Sequence, residues 1–345
     1  MIRSIARRIL APLQAPRRAR EKLRGVRPDV LLPFDMFDEA LTGAEARKAS
    51  KLENIYHKGQ HRAWNGKELL AQLLERHGGI QLSDERRAAV QGLFAVILWG
   101  ELAAWKISAD LALRLEPLEA KLAATSQAHD EARHFYVMHD YLVLLGELPR
   151  GLGPRTTRVL AGTLSANTLA KKLVGMQLMI EPMALALFQM IRESEIEPVL
   201  VDLLRYYERD EARHVALGVL HLPRLIQGMT SAEAAGLWAW EFGELWAQLE
   251  MMRELTPHFE VLGLDVRRVL ELGRAKQIRA NQMLIEEMGS PIPVFDAFIR
   301  FFDARCAWHW PDDPRADLRG RLQEALRAAN QGIGVIPTHL SNVAT

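Results

Sequence analysis

The pentad Asp130-Glu131-Ala132-Arg133-His134 returns unchanged as Asp210-Glu211-Ala212-Arg213-His214, 80 residues later. Thirty residues ahead of each pentad glutamate stands another, Glu101 and Glu181, and these two are also 80 apart. Each half therefore reads Glu and then, thirty residues on, Glu-x-x-His. No other feature of the 345 residues constrains the fold as much, because it requires two copies of one long unit. A period of 80 is too long for the stacked repeats of a solenoid.

The unit reads as a helical hairpin. Ser83 precedes a charged first turn and a long apolar-periodic run, and Pro117 and Pro198 stand where a proline opens the next helix. The periodicity predicts helices over about 84–115, 117–147, 156–195 and 198–227. Two helical stretches precede them within 40–78, and four more follow at about 231–256, 263–288, 292–308 and 314–330. No strand-like alternation of useful length occurs. The expected fold class is all-α, a four-helix bundle with an internal hairpin repeat and flanking helices. Residues 1–30 read as a basic tail and 332–345 as a C-terminal tail. The single domain between them, 31–331, divides into a bundle over 84–227 and accessory helices over 40–78 and 231–330.

In each half the turn falls midway through the thirty-residue gap, so each ligand candidate sits roughly 22 Å from it, at 1.5 Å per residue. Two glutamates then face each other across an antiparallel pair of helices. Within each pentad Glu and His are neighbours on one helix face. Packing the hairpins about a two-fold converges Glu101, Glu131, Glu181 and Glu211 with His134 and His214. Carboxylates bridge hard cations and imidazole suits iron, so the set fits two iron ions, with manganese possible at one site. Asp130 and Asp210 share the ligand seam and can each accept a hydrogen bond from an imidazole, that of the opposite hairpin in the two-fold arrangement. Arg133 and Arg213 can offset the charge of so many acids. Glu101 and Glu181 lie in apolar runs, where acids are seldom buried unless paired or bound to metal.

At these residues the chain resembles the ferritin-like, ribonucleotide-reductase-like superfamily of di-iron carboxylate proteins. The doubled Asp-Glu-x-Arg-His is similar to bacterial multicomponent monooxygenases, and Glu-x-x-Arg-His to acyl-carrier-protein desaturases. The resemblance covers about 85–225 and is specific for the metal site. It implies that the six residues are iron ligands and that the activity is O2 activation at a di-iron(II) centre. Leu185 stands where those monooxygenases carry threonine. Tyr207 stands where arylamine N-oxygenases have an extra histidine ligand, and a reductase subunit would need a radical tyrosine and a long-range relay.

One turn from the ligands stand Ile97, Leu98, Ala104, Trp105, Gln127, Met138, Gln177, Leu178, Ala184, Leu185, Tyr207 and Gly218. Most are apolar, as suits a pocket for a hydrophobic substrate. Gln127, Gln177 and Tyr207 are its polar, candidate catalytic members. Pro182 is expected to kink its helix beside Glu181 and widen the substrate side.

The remaining composition bounds partners more than chemistry. Apolar residues are 49% and charged residues 25%, with net charge +1 and one cysteine, Cys306. That leaves no internal disulfide, no cysteine-built metal cluster and no global pull toward nucleic acid. No window holds eighteen uninterrupted apolar residues. Residues 1–25 carry eight basic side chains against Glu21 alone, which leaves −6 for the rest. Ile2, Ile5, Ile9 and Leu10 alternate there with arginines, as in a segment that lies on an anionic membrane; an organelle presequence or a solvated tail reads the same. No Gly-rich nucleotide motif appears. The expectation is a cytoplasmic homodimer, peripheral to the membrane through 1–25, that takes O2, a hydrophobic substrate and electrons from a separate reductase or ferredoxin. Its reaction would be oxygenation or desaturation. A non-catalytic iron-binding or storage protein is the alternative, and a cofactorless structural bundle the third.

Overall fold

Most of the long helices begin where a side chain can meet the free amides of a first turn. The computed structural model describes residues 44–334. The expected tail over 1–30 and all but the first residues of the tail over 332–345 lie outside them. Helix α1 (Ala44–His61) leads to α2 (Gly66–His77), where Asn65 caps the amides of Lys67 and Glu68 and Gly78 closes the other end at φ 69°. Ser83 accepts from the Arg86 amide to start α3 (Asp84–Arg114), which returns as α4 (Leu118–Leu145). Then come α5 (Pro154–Leu164), α6 (Leu169–Leu173), a π-helix (Val174–Ile180) and α7 (Glu181–Glu193). Helix α8 (Pro198–Gln227) is capped by the buried Glu197, which accepts from Val199 and Leu200 and from the Tyr141 hydroxyl of α4. Helices α9 (Ser231–Leu262), α10 (Val266–Met288), α11 (Phe295–His309) and α12 (Leu318–Gln331) complete the chain.

Helix α3 packs along α4, and α7 with the π-helix packs along α8; α4 against α8 joins the two hairpins. Helix α9 lies along α3 and α5, and α10 along α7 and α8, so the accessory helices wall in the repeat. Two runs, α3 and Leu169–Glu193, are apolar over a membrane's length, yet 56% and 83% of their apolar windows are buried inside the bundle. Their hydropathy reflects a core enclosed on several sides.

One expected helix, 156–195, is divided in the structure. Chain from Ser165 to Thr168 is non-helical, and Thr168 starts a new helix by accepting from the Lys171 amide. The π-helix then ends at Glu181, whose amide reaches five residues back to Met176. Pro182, with no amide, therefore falls in the first turn of α7, where none is needed. Beside Pro182 the structure thus has this wider turn, a register shift placed directly before Glu181. Helix α9 also outruns its predicted end at 256, passing through Pro257 to a left-handed Gly263.

Candidate metal centre

The six candidate ligands meet in the bundle's centre. Glu101 comes from α3, Glu131 and His134 from α4, Glu181 from the start of α7, and Glu211 and His214 from α8. None is more than 6% exposed. Their donor atoms form two overlapping groups, each within 4.8 Å: Glu101, Glu131, His134 and Glu211, and Glu131, Glu181, Glu211 and His214. Glu131 and Glu211, the two pentad glutamates, belong to both.

The imidazoles are oriented alike. His134 Nδ1 faces Glu101, Glu131 and Glu211 at 3.5, 3.6 and 3.3 Å. His214 Nδ1 faces Glu131, Glu181 and Glu211 at 3.1, 3.8 and 2.8 Å. Each Nε2 points to the aspartate of the other hairpin, His134 to Asp210 at 3.3 Å and His214 to Asp130 at 3.4 Å. An Nε2–H held this way turns Nδ1 toward the carboxylates, where it can offer its lone pair to a cation once it has given up its proton.

The two arginines attend to the aspartates rather than to the glutamates. Arg133 bonds Asp130 and Asp210 at 2.5 and 2.8 Å, and Arg213 bonds the same two at 2.7 and 2.9 Å. The four side chains close a ring of alternating charge. Burial pushes both aspartates up, but the imidazoles and Arg213 win and hold them well below the usual carboxylate range. Asp130, Asp210, Arg133 and Arg213 thus balance one another, and four glutamates carry the remaining formal charge of −4.

Two divalent cations would neutralise that charge, and the donor atoms fit them. Glu131 Oε2, Glu181 Oε2 and His134 Nδ1 are buried and lack any hydrogen-bond partner, as atoms awaiting a ligand would. Without metal the cage leans on protons. Burial raises Glu101 and Glu181 well above the ordinary carboxylate value. Burial opposes charge on His134 and His214, yet the surrounding carboxylates raise both well above 6.5.

Gln127 donates to Glu131 at 3.1 Å and to Glu181 at 2.6 Å, and itself accepts from Gln177 at 3.1 Å. Gly218 of α8 makes room for this chain, since a Cβ there would stand 2.6 Å from the Gln177 Cβ. Tyr207 packs against a ligand. Its hydroxyl donates to the His134 carbonyl at 2.6 Å and its ring stacks on the His134 ring at 4.2 Å, so it positions a ligand. Trp64, in the link between α1 and α2, donates to Asp210 at 2.7 Å under the Arg133 guanidinium. Nothing in its local pattern announces that role.

A cavity of about 80 Å³ opens beside the carboxylates, lined by apolar side chains apart from the four glutamates and Gln248. Of the expected lining, Ile97, Ala104 and Ala184 face it. Leu98, Met138 and Leu185 are buried in the surrounding core instead, and Leu178 lines a second cavity. Trp105 is 43% exposed and turns outward. The far wall is built by Gln248, Met251, Met252 and Leu255 of α9, a helix whose sequence carries no site motif.

Comparison with known proteins adds the fold. No protein-family model and no curated protein matches the chain. A point variant of an R2-like ligand-binding oxidase with an aerobically reconstituted Mn/Fe cofactor superposes with a TM-score of 0.50. Identity is 17%, over 70% of this chain and 94% of the other. A second variant, with anaerobically reconstituted Mn/Fe, matches at TM-score 0.50 and 17% identity over 70% and 93%. The fold is the ferritin-like R2 fold. At this identity the likeness is one of architecture, and it agrees with the all-α bundle read from the repeat.

Proposed function

We propose that this chain is a dimetal oxidoreductase, holding two iron ions or one manganese and one iron, and that it reduces O2 to oxidise an apolar substrate by oxygenation or desaturation. The observation that carries the reading is the sharing of Glu131 and Glu211 between two donor groups. The six side chains would hold two ions, one at the group with Glu101 and His134 and one at the group with Glu181 and His214, with Glu131 and Glu211 within reach of both. The Mn/Fe cofactors of the two R2-like oxidases support the choice of metals.

Bound there, redox-active ions would supply electrons to O2 stepwise. The chain's own residues do the rest. Asp130 and Asp210 fix each imidazole with Nδ1 toward the metal positions, and Arg133 and Arg213 keep those aspartates ionised. Gln127 ties Glu131 to Glu181 and limits how far either carboxylate swings. The apolar wall keeps water from the reacting atoms and takes a hydrophobic substrate. Electrons come from a separate donor protein, a reductase or ferredoxin.

The test is metal analysis joined to O2 uptake. After reconstitution with iron, or iron and manganese, two ions per chain are expected, with O2 consumed once the protein is reduced. Glu131→Ala or Glu211→Ala should strip both ions, and Glu101→Ala or Glu181→Ala one. A chain that stays empty refutes the reading; hundreds of iron atoms per assembly would make it a store.

A further inference from the structure

The second cavity lies behind the π-helix, between α9, α10 and α11, and measures about 30 Å³. That is room for about two water molecules. Glu241 of α9 faces it together with Arg274, Gln277 and Asn281, among apolar side chains such as Leu178 and Phe302. Glu241 is 9% exposed, and no hydrogen bond or ion pair holds its carboxyl among the described residues. A buried carboxyl without a partner is costly, and its retention asks for a reason.

The neighbouring charges are otherwise engaged. Arg274 grips Asp303 of α11 through two bonds, at 2.6 and 2.8 Å. Glu244, on the next turn of α9, stands over Gly162 of α5. The π-helix residues at the cavity, Leu178 and Met179, carry no charge. Burial alone then acts on Glu241 and raises it to about 8, so it holds its proton at neutral pH.

A polar connection leads from this cavity to the metal-centre cavity. Gln277, which lines the second cavity, donates at 3.3 Å to Gln248, which lines the first. The same Gln277 donates to the Met179 carbonyl at 3.3 Å, two residues before Glu181. Glu241 and Gln248 are seven residues apart on one face of α9, about 10 Å along the axis. Among the described residues, Gln248 is the one neutral polar side chain in the first cavity's lining.

We infer that Glu241 delivers protons to the oxygen-reduction site, from its own cavity and past the Gln277–Gln248 pair. The inference rests on the dimetal reading above. Reducing O2 to two waters consumes four electrons and four protons, and inserting one oxygen atom into substrate consumes two of each. The electrons come from the external one-electron donor protein. The protons must cross an apolar wall. In each transfer the carboxyl O–H bond of Glu241 breaks, the proton moves through water beside the two amides to oxygen being reduced, and solvent reprotonates the carboxylate.

The test compares wild type with Glu241→Gln and Glu241→Leu, all confirmed folded by melting. In metal-loaded protein, whose ligand carboxylates are ionised, the infrared difference between wild type and either variant should show a protonated-carboxyl band at pH 6 that fades near pH 8. In loaded, reduced protein the variants should keep the wild-type metal content while O2 consumption falls about a hundredfold, the usual worth of a placed acid. The solvent isotope effect should rise, and formic acid should restore part of the rate. An ionised Glu241 at pH 6, or unchanged O2 rate and isotope effect in the variants, overturns the inference alone. A wild type that binds metal but consumes no O2 overturns the dimetal reading and this inference with it.

Discussion

Glu241 allows a stability prediction whose size follows from one group. Its folded pKa of about 8 lies above the ordinary 4.5. The folded state therefore binds this proton more tightly than the unfolded chain. Relative to a neutral side chain, Glu241 costs nothing below about pH 4.5, costs more as pH rises to 8, and reaches its full cost above that. At 1.36 kcal/mol per unit, the cost is under about 1 kcal/mol at pH 5, about 3 at pH 7 and close to 5 at pH 9. Replacing Glu241 with Gln removes the titration and keeps the volume. The variant should gain on wild type by about those amounts, or roughly 6–10 °C in melting temperature at pH 9. Urea or thermal melts of metal-free protein at the three pH values supply the difference. A constant difference across pH would show that Glu241 ionises in the fold as it does in water, and would refute the argument.

Other residues give shorter tests. Asp130→Asn removes the charge and one of the two oxygens that meet His214, Arg133 and Arg213, and metal affinity should fall about 10- to 100-fold by competition with a chelator. Trp64→Phe deletes a bond to a charged acceptor and should cost about 1.5–3 kcal/mol in chemical denaturation; no loss would mean that Asp210 does not need this donor. Tyr207→Phe should cost about 1 kcal/mol yet leave O2 consumption in place. Loss of O2 consumption with full metal content would make its hydroxyl catalytic after all. Ala184→Phe fills the first cavity, so oxidation of an apolar substrate should fail while the ion count stays at the parent's value.

The centre was legible because its signal is covalent spacing converted into helix rise. Thirty residues with a turn midway bring two glutamates level, and i, i+3 puts Glu and His side by side, whatever packs around them. The crossed pairing of His134 with Asp210 and of His214 with Asp130 follows from the same two-fold. Features lacking such a register stayed hidden. Trp64 reaches Asp210 from a short link, where contact depends on tertiary placement alone. The stretch from Ser165 to Thr168 interrupts a run whose apolar residues continue on both sides, so periodicity passes over it. Trp105 sits one turn after Glu101, but four residues advance a helix by more than a full turn, and that surplus carries the ring outward. The α9 wall was invisible for another reason: an apolar side chain facing empty space has the same letter as one facing a neighbour.

The duplicated acids also pose a folding problem that protons can solve before metal does. Four glutamates converge without an arginine among them, because Arg133 and Arg213 are spent on the aspartates. In the metal-free cage, burial raises Glu101 and Glu181, and the surrounding carboxylates raise His134 and His214, so protons held there offset charge that metal would otherwise balance. With two divalent ions bound, the ligands must have given up the protons they held. Loading at neutral pH should therefore release several protons per chain. Calorimetric titration in buffers of different ionisation enthalpy measures the number, and uptake should weaken steeply as pH falls because each proton competes with metal. Release of one proton or fewer would mean that the cage is already ionised without metal. The folded apo-protein would then carry the full repulsion of its glutamates, and chelation should melt it.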